Sequence, residues 1–228
     1  MKLLVMQHKK KGKGIMNKVT VFLDTEFTNL GQDCDLISIG MVARVNDEHL
    51  TSFYAESIEF SHDKCSDFVN STVLPKLTLG SKPGGKVYED KYGLKAYAMV
   101  GTEEDIVFNM LNWFDSLLGV TEEDKWVKGV DQPIEIWSDV LNYDWTLFVQ
   151  LFSDYVGRLP QYIYYIPFDI STAFKLKDID PDINREEYAK ANVPEAKGID
   201  ELGDMKHNSV VDALVIYYCY IAMMTKED

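Results

Sequence analysis

The sequence predicts an α/β fold with a central mixed β-sheet flanked by helices. Three runs rich in β-branched and aromatic residues come first, and short polar turns separate them, which is typical of an antiparallel three-strand meander. Later strand-like runs alternate with segments of helical periodicity, which favours parallel strands in the same sheet. With 228 residues, of which 46% are hydrophobic and 26% charged, the chain is long enough to bury a sizeable core.

The predicted meander occupies the first quarter of the chain. Its strands are residues 19–27, 36–43 and 50–55. The turns between them, residues 29–33 and 46–48, are rich in Asn, Asp and Gly, which favour tight changes of chain direction. Strands joined by connections this short pair in antiparallel fashion.

The remainder of the chain is predicted to alternate between helices and strands. Thr102 is a good N-cap, and Asp105 stands three residues later at the capping-box position, so a helix is expected to begin here. The other predicted elements are a helix over residues 65–74, strands at 134–137 and 162–166, a helix over 143–155, a helix after residue 168, and a buried C-terminal helix over 208–224.

The predicted domain organisation is a basic tail over residues 1–17 followed by a single domain over residues 18–228. Five lysines between positions 9 and 18 are typical of a solvated, disordered tail, and Met16 is an alternative start. A Gly- and Pro-rich stretch within residues 79–97 predicts a loop insertion or lid. No apolar run approaches the ~20 residues that span a bilayer. Three widely spaced cysteines favour a reducing, cytoplasmic location.

The acidic net charge disfavours one class of nucleic-acid-binding protein. The formal net charge is −14, and the sequence pI is near 4.7. Proteins that coat long nucleic acids need many Lys and Arg contacts to phosphates, so this class is disfavoured. An enzyme that binds a few nucleotides at a chain end remains compatible with this charge.

Asp24 and Glu26 are the most informative pair of residues. They lie two positions apart at the end of the first predicted strand, so their side chains project from the same face of the sheet. Neighbouring carboxylates that lose water repel each other, and a divalent cation with oxygen ligands relieves that repulsion. Taken alone, however, an Asp-x-Glu pair is more often two solvated acids at a strand end.

Two further acids are predicted in the first turns of helices. Asp144 follows the strand that ends near Trp137, and Asp212 follows His207 and the N-cap candidate Asn208. Acids at these positions commonly do no more than complement the helix dipole, by ~0.3–1 kcal/mol. Asp212, however, is set among apolar residues, where an unpaired charge is expensive.

The order of these motifs resembles the DEDDh 3′–5′ exonucleases, the RNase T-like superfamily with a ribonuclease H-like fold. The resemblance is closest to the small mycobacterial-type 3′–5′ exoribonucleases, and it runs with gaps from about Val19 to Tyr220. The segments that carry it are residues 24–27, 36–40, 73–77, 134–137, 142–144 and 207–213.

The resemblance implies a role for each matched residue. Asp24, Glu26, Asp144 and Asp212 correspond to metal ligands, expected to hold two Mg²⁺ ions for which Mn²⁺ substitutes. His207 corresponds to the general base. The middle motif departs from the family wording, which makes Asp139 a rival to Asp144.

The implied function is metal-dependent 3′–5′ exonuclease activity on single-stranded nucleic acid, with RNA favoured over DNA. The family uses two metal ions and a histidine base, and the chain offers no credible Ser or Cys nucleophile. Two alternatives stay open, namely an exonuclease specific for DNA or short oligonucleotides and an inactive RNA-end-binding protein. Phe27 and Leu30 are candidates for base stacking, although simple packing explains them equally well. The resemblance also makes a homodimer compatible with this sequence.

Overall fold

The computed structural model describes residues 17–80, 82–89, 95–119 and 134–225. The predicted tail lies outside these residues except for Asn17, and so do positions 81 and 90–94 of the predicted insertion. The described residues form a seven-stranded mixed sheet with helices packed on both faces, which confirms the predicted α/β class.

The sheet has the strand order β4-β5-β3-β2-β1-β6-β7. The antiparallel pairs β1–β2 and β2–β3 form the predicted meander. The pairs β3–β5, β1–β6 and β6–β7 are parallel, whereas β4 and β5 are antiparallel. The strands are β1 (Val19–Phe27), β2 (Leu36–Val45), β3 (His49–Ser57), β4 (Gly84–Glu89), β5 (Lys95–Gly101), β6 (Glu135–Ser138) and β7 (Phe168–Asp169).

Helices cover the two faces of the sheet and form two separate cores. The helices are α1 (Glu103–Leu118), α2 (Asn142–Val156), α3 (Ile170–Leu176), α4 (Arg185–Asn192) and α5 (Ser209–Thr225). One core joins α1 and α2 to the sheet, and the other joins α3, α4 and α5 to the opposite face. Shorter helical turns occupy His62–Lys64, Val69–Val73, Leu74–Lys76 and Pro194–Leu202. No helix in the described part of the chain combines the length and apolar character needed to cross a membrane.

The start of α1 follows the predicted capping chemistry. The Thr102 hydroxyl accepts a hydrogen bond from the Asp105 amide, and the Asp105 carboxylate accepts one from the Thr102 amide. The helix ends at Gly119, whose φ of 64° lies in the left-handed region that glycine adopts without strain.

Two local predictions were wrong. Residues 79–97 contain strand β4 and the first residues of β5 rather than only a loop, because β5 pairs with β3 and β4 pairs with β5, which extends the sheet at this edge. Residues 162–166 form only the isolated bridge of Ile163 to Ile134, since Pro160 and Pro167 restrict the flanking backbone. The helix predicted over 65–74 is confirmed as a continuous helical stretch over residues 67–76, which is irregular, with π-helical geometry at Val69–Val73 and 3₁₀ geometry at Leu74–Lys76.

The alternation of side chains along β1 places its acids on one face. Val21 and Leu23 belong to the core under α1 and α2, whereas Phe22 belongs to the core under α5. Asp24 and Glu26 have the same parity as Phe22, so they project towards α5, as the two-residue spacing predicts.

Gly40 on β2 allows the start of α5 to approach the sheet. A Cβ atom at this position would lie 2.1 Å from the Ser209 carbonyl carbon and the Val210 nitrogen. The Ser38 and Ser209 hydroxyls, 3.0 Å apart, hydrogen-bond across the same junction. The first turn of α5, which carries Asp212, is therefore seated directly on β2.

We expect the Gly40→Ala substitution to lower the free energy of unfolding by about 1–3 kcal/mol or more, because the methyl group meets backbone that cannot move aside. Thermal unfolding measures the change. Gly198→Ala is the matched control, since a Cβ atom there meets nothing within 4 Å. Equal melting temperatures for the two variants would contradict the close approach.

Candidate metal centre

Glu26, His207 and Asp212 converge at the end of β1 and the start of α5. Each offers a ligand atom, and these atoms lie within 4.8 Å of one another. The His207 Nδ1 atom is 3.8 Å from Glu26 Oε1. The sequence separates these residues by up to 186 positions, so only the packing of α5 against the sheet brings them together.

Asp24 lies among the other candidate carboxylates. Burial raises the pKa of the Asp24 carboxyl well above its usual range, and the charges of Asp144, Asp212 and Glu26 raise that pKa further. Four acids that repel one another in a desolvated place are unfavourable unless protons or cations neutralise them.

Asp144 is buried in the first turn of α2, and its carboxylate accepts hydrogen bonds from residues on two strands. Its Oδ1 atom accepts hydrogen bonds from the Thr25 amide at 2.9 Å and from the Thr25 hydroxyl at 2.6 Å. Its Oδ2 atom accepts one from the Ser138 hydroxyl at 2.8 Å. Burial raises the pKa of Asp144, and these hydrogen bonds oppose the rise. The carboxylate orientation is thereby determined by β1 and β6.

Asp139, the rival to Asp144, is engaged elsewhere. Its two oxygens accept hydrogen bonds from the Arg185 guanidinium at 2.9 and 3.0 Å, and the Ser171 hydroxyl donates to Oδ1 at 2.6 Å. Bidentate pairing of this kind is among the stronger polar contacts in proteins. The contacts tie the corner between β6 and α2 to α3 and α4.

We therefore expect Asp139→Asn and Asp144→Asn to differ in kind. The first should lower the free energy of unfolding by about 1–3 kcal/mol, because it weakens the Arg185 pair, and should keep a measurable rate of the hydrolysis that the resemblance implies. The second should remove hydrolysis. Unfolding curves and hydrolysis rates, measured on the same preparations of both variants, distinguish the two roles. Loss of hydrolysis in Asp139→Asn with unchanged stability would make Asp139 the third acid of the centre.

His207 stands in the loop before α5 in a strained backbone conformation. Its φ is 69°, in the left-handed region that non-glycine residues seldom adopt. Its amide donates a hydrogen bond to Asp212 Oδ2 at 2.9 Å, so the acid on α5 holds the loop that carries the imidazole. The Phe68 ring meets the imidazole edge-on at 5.2 Å.

The pKa values around His207 move in opposite directions. Burial lowers the pKa of the imidazole, and the nearby charges of Lys206 and Lys76 lower it further. Burial raises the pKa of Glu26 to about 8 and that of Asp212 to about 6. A neutral imidazole beside partly protonated acids is the state expected near pH 7 without a cation.

The sequence did not reveal the network that supports this loop. The Asn208 side chain was predicted to cap α5, but its Nδ2 atom donates to the Tyr54 hydroxyl at 3.1 Å and to the Lys76 carbonyl at 3.0 Å. The Tyr54 hydroxyl donates to Glu56 Oε1 at 2.8 Å. The same oxygen accepts from the backbone amides of Thr78 and Leu79. In the sequence, only the acid Glu56, directly after the predicted third strand, could have indicated this network, and nothing there identified its partners.

The two aromatic candidates have different surroundings. Phe27 stacks on Tyr143 with ring centroids 4.9 Å apart, and the Tyr143 hydroxyl donates to the Leu30 carbonyl. The Leu30 side chain itself is 76% exposed. Phe27 is thus packed, whereas the Leu30 side chain is exposed to solvent.

The donor set suits a hard divalent cation. Four carboxylates supply the oxygen ligands that Mg²⁺ and Mn²⁺ prefer, and a neutral imidazole stands beside them. The raised pKa values of Asp24, Glu26 and Asp212 indicate a place where added positive charge would be favourable. The residues present therefore fit the predicted divalent ions.

Comparisons with known proteins give a match over part of the sequence and a match of the fold. No family model matches the chain. Two curated proteins of Mycobacterium tuberculosis, from strains CDC 1551 and H37Rv and both named 3′–5′ exoribonuclease, are 45% identical over 56 residues. That stretch covers 25% of this chain, and it spans 31% of each relative's length.

A solved structure extends the likeness to most of the chain. The crystal structure of cell-death related nuclease 4 aligns with a TM-score of 0.54 and 15% identity, covering 91% of this chain and 64% of that protein. At this identity the likeness concerns the fold, and it is consistent with the predicted ribonuclease H-like architecture. The sequence likeness to the two proteins named 3′–5′ exoribonuclease is confined to the 56 matched residues.

Proposed function

We propose that this protein is a metal-dependent 3′–5′ exonuclease for single-stranded nucleic acid, with RNA favoured over DNA. The observation that carries the proposal is the convergence of Asp24, Glu26, Asp144, Asp212 and His207 from three separate segments of the chain on one end of the sheet. The relatives named 3′–5′ exoribonuclease support the reaction class. The proposed catalytic domain is residues 18–228.

Asp24, Glu26, Asp144 and Asp212 would hold the divalent ions, Mg²⁺ with Mn²⁺ as a substitute. When bound, such ions neutralise phosphate charge and increase the acidity of the attacking water. The protein's own contribution is to hold the acids in place before substrate arrives. Thr25 and Ser138 orient Asp144, and the contact of Ser209 with β2 orients the helix that carries Asp212.

His207 is the proposed general base. Its lowered pKa leaves the imidazole neutral near pH 7, so a ring nitrogen can accept the proton of the attacking water. The water oxygen then bonds to phosphorus while the bond from phosphorus to the 3′ oxygen breaks. The products are a nucleoside 5′-monophosphate and a strand shortened by one nucleotide, whose new 3′ oxygen takes up a proton.

Two further functions remain to be separated by experiment. An exonuclease specific for DNA or short oligonucleotides would share all five residues, and recognition of the 2′-hydroxyl distinguishes it. An inactive RNA-end-binding protein is disfavoured, because a site that no longer turns over substrate is not expected to retain all five side chains.

A gel time course with 5′-labelled single-stranded RNA and matched DNA tests the proposal. Each strand is incubated with Mg²⁺, Mn²⁺ or EDTA, beside the His207→Ala protein. We expect a ladder that shortens from the 3′ end only with metal, and that is much weaker for His207→Ala. No shortening of either strand with either metal would overturn the proposed activity.

A further inference from the structure

Strand β4 presents lysines on an otherwise acidic protein. Lys82 and Lys86 are exposed, and within the described part of the chain neither ammonium pairs with a carboxylate. Tyr88, two residues after Lys86 and therefore on the same side of the strand, is 59% exposed. Unpaired cations beside an exposed aromatic ring are typical of surfaces that bind single-stranded nucleic acid.

The strand register connects these lysines to the candidate centre. Asp24 pairs with Gly40, Gly40 with Tyr54, Tyr54 with Ala98, and Ala98 with Lys86. Residues paired across strands share a face of the sheet, so Lys86 projects from the same face as Asp24. Four strand spacings of about 4.8 Å separate them by roughly 19 Å. The start of α5 covers Gly40, so a nucleic-acid strand has to pass around it, and about six stacked nucleotides is the minimum that spans this distance.

Lys82 lies at the same end of the sheet as Glu26. Glu26 pairs with Ser38, Ser38 with Glu56, Glu56 with Val100, and Val100 with Gly84. Gly84 is the first residue of β4, so Lys82 precedes the strand at the same end where the acids converge.

Other charges favour a path on the α5 side of the molecule over a path on the α1 side. Lys76 and Lys206 stand near His207, and Lys76 pairs with Asp204 at 2.8 Å. On the side of α1, by contrast, burial raises the pKa of Glu103, and the nearby carboxylates of Glu59, Asp154 and Asp35 raise that pKa further. A phosphate chain leaving the centre is repelled on the acidic side and attracted on the lysine side.

A second copy of this chain is the less suitable occupant of this edge. Lysines on an edge strand are a common means of preventing edge-to-edge pairing with another sheet. Nucleic acid, with one negative charge per nucleotide, complements them instead.

We propose that the exposed side of β4, through Lys82, Lys86 and Tyr88, binds the nucleic-acid strand several nucleotides upstream of the 3′ end held at the candidate centre. This inference rests on the proposed exonuclease function. It makes β4 a length-sensing surface, which long strands reach and very short ones do not.

The test compares kcat/KM on labelled RNAs of about twelve and about three nucleotides. We expect the Lys82→Glu/Lys86→Glu protein to lower the ratio of the two values, long over short, about tenfold or more. The dependence of long-strand binding on salt should also become shallower, by about 0.7 in log–log slope for each phosphate that the protein no longer neutralises. Lys175→Glu is the matched control, because it reverses an exposed lysine on α3, beyond the opposite edge of the sheet.

An unchanged ratio in the double variant, or the same fall in the ratio for Lys175→Glu, would overturn the proposed binding at β4. If the wild-type protein shortens neither RNA, the proposed activity fails, and a binding measurement then tests β4 separately. Fluorescence anisotropy of the twelve-nucleotide RNA in EDTA serves for this purpose. Weaker binding by the double variant alone would support the role of β4, and equal binding by all three proteins would refute it.

Discussion

The Asp24→Asn protein should lose hydrolysis while becoming more stable without metal. Asp24 is surrounded by the carboxylates of Glu26, Asp144 and Asp212, and burial already disfavours its charge. An amide of the same shape removes that repulsion, so we expect the free energy of unfolding in EDTA to rise by about 1–3 kcal/mol. For a chain of this size the melting temperature should rise by about 2–12 °C.

The loss of hydrolysis should be at least about 10³-fold, because removal of one member of an interdependent catalytic set removes most of the rate. Rates on labelled RNA and melting curves in EDTA are measured on the same preparation. Asp182→Asn, which neutralises an exposed acid, is the control and should change neither quantity. Retained hydrolysis, or a fall in melting temperature, would count against a metal-binding role for Asp24.

The stability of the metal-free protein should fall as the pH rises from about 4.5 to about 8. Glu26 has a pKa of about 8 in the folded protein, against the usual value of 4.5. The folded state therefore holds a proton that the unfolded state has released in this window. Because stability decreases with pH wherever the folded state binds more protons, this contribution is complete below about pH 4.5 and is lost as the pH approaches 8. Asp212, with a pKa of about 6, adds to the same trend.

Divalent metal should reverse that trend. Metal ions compete with protons for the same carboxylates, so the rise in melting temperature produced by Mn²⁺ or Mg²⁺ should grow with pH. Calorimetry from pH 5 to pH 8.5, in EDTA and in metal, measures both effects. The Glu26→Gln protein should show a flatter dependence on pH in EDTA. A slope equal to that of the wild type, or no stabilisation by metal at pH 8, would contradict this account.

Several parts of the candidate site were predictable from local rules. The two-residue spacing of Asp24 and Glu26 is enough to place them on one face, because side chains alternate along any strand. Asp144 and Asp212 were expected in first turns of helices, and α2 and α5 place both there. The capping box of α1 was also predictable, because it joins two residues only three positions apart. The assignment of catalytic and metal-binding roles to these residues stays a prediction.

The choice between Asp139 and Asp144 required the tertiary structure. Both acids follow β6 within seven residues of Trp137, so the spacing left them as rivals. The partners that distinguish them, Arg185 for Asp139 and Thr25 for Asp144, are distant in sequence. The support of the His207 loop by Asn208 and Tyr54 depends in the same way on contacts across the chain.

The sequence by itself determined the α/β class, the antiparallel meander and the face of β1 that carries the acids. These properties follow from periodicity, turn residues and alternation, all of which act within a few residues of the chain. Only the tertiary structure decided that residues 84–89 pair with β5 as an edge strand, and that α5 is seated on Gly40 so that Asp212 and His207 meet Glu26. Strand order and helix docking join residues far apart in sequence, and the patterns within single segments contain no information about such contacts.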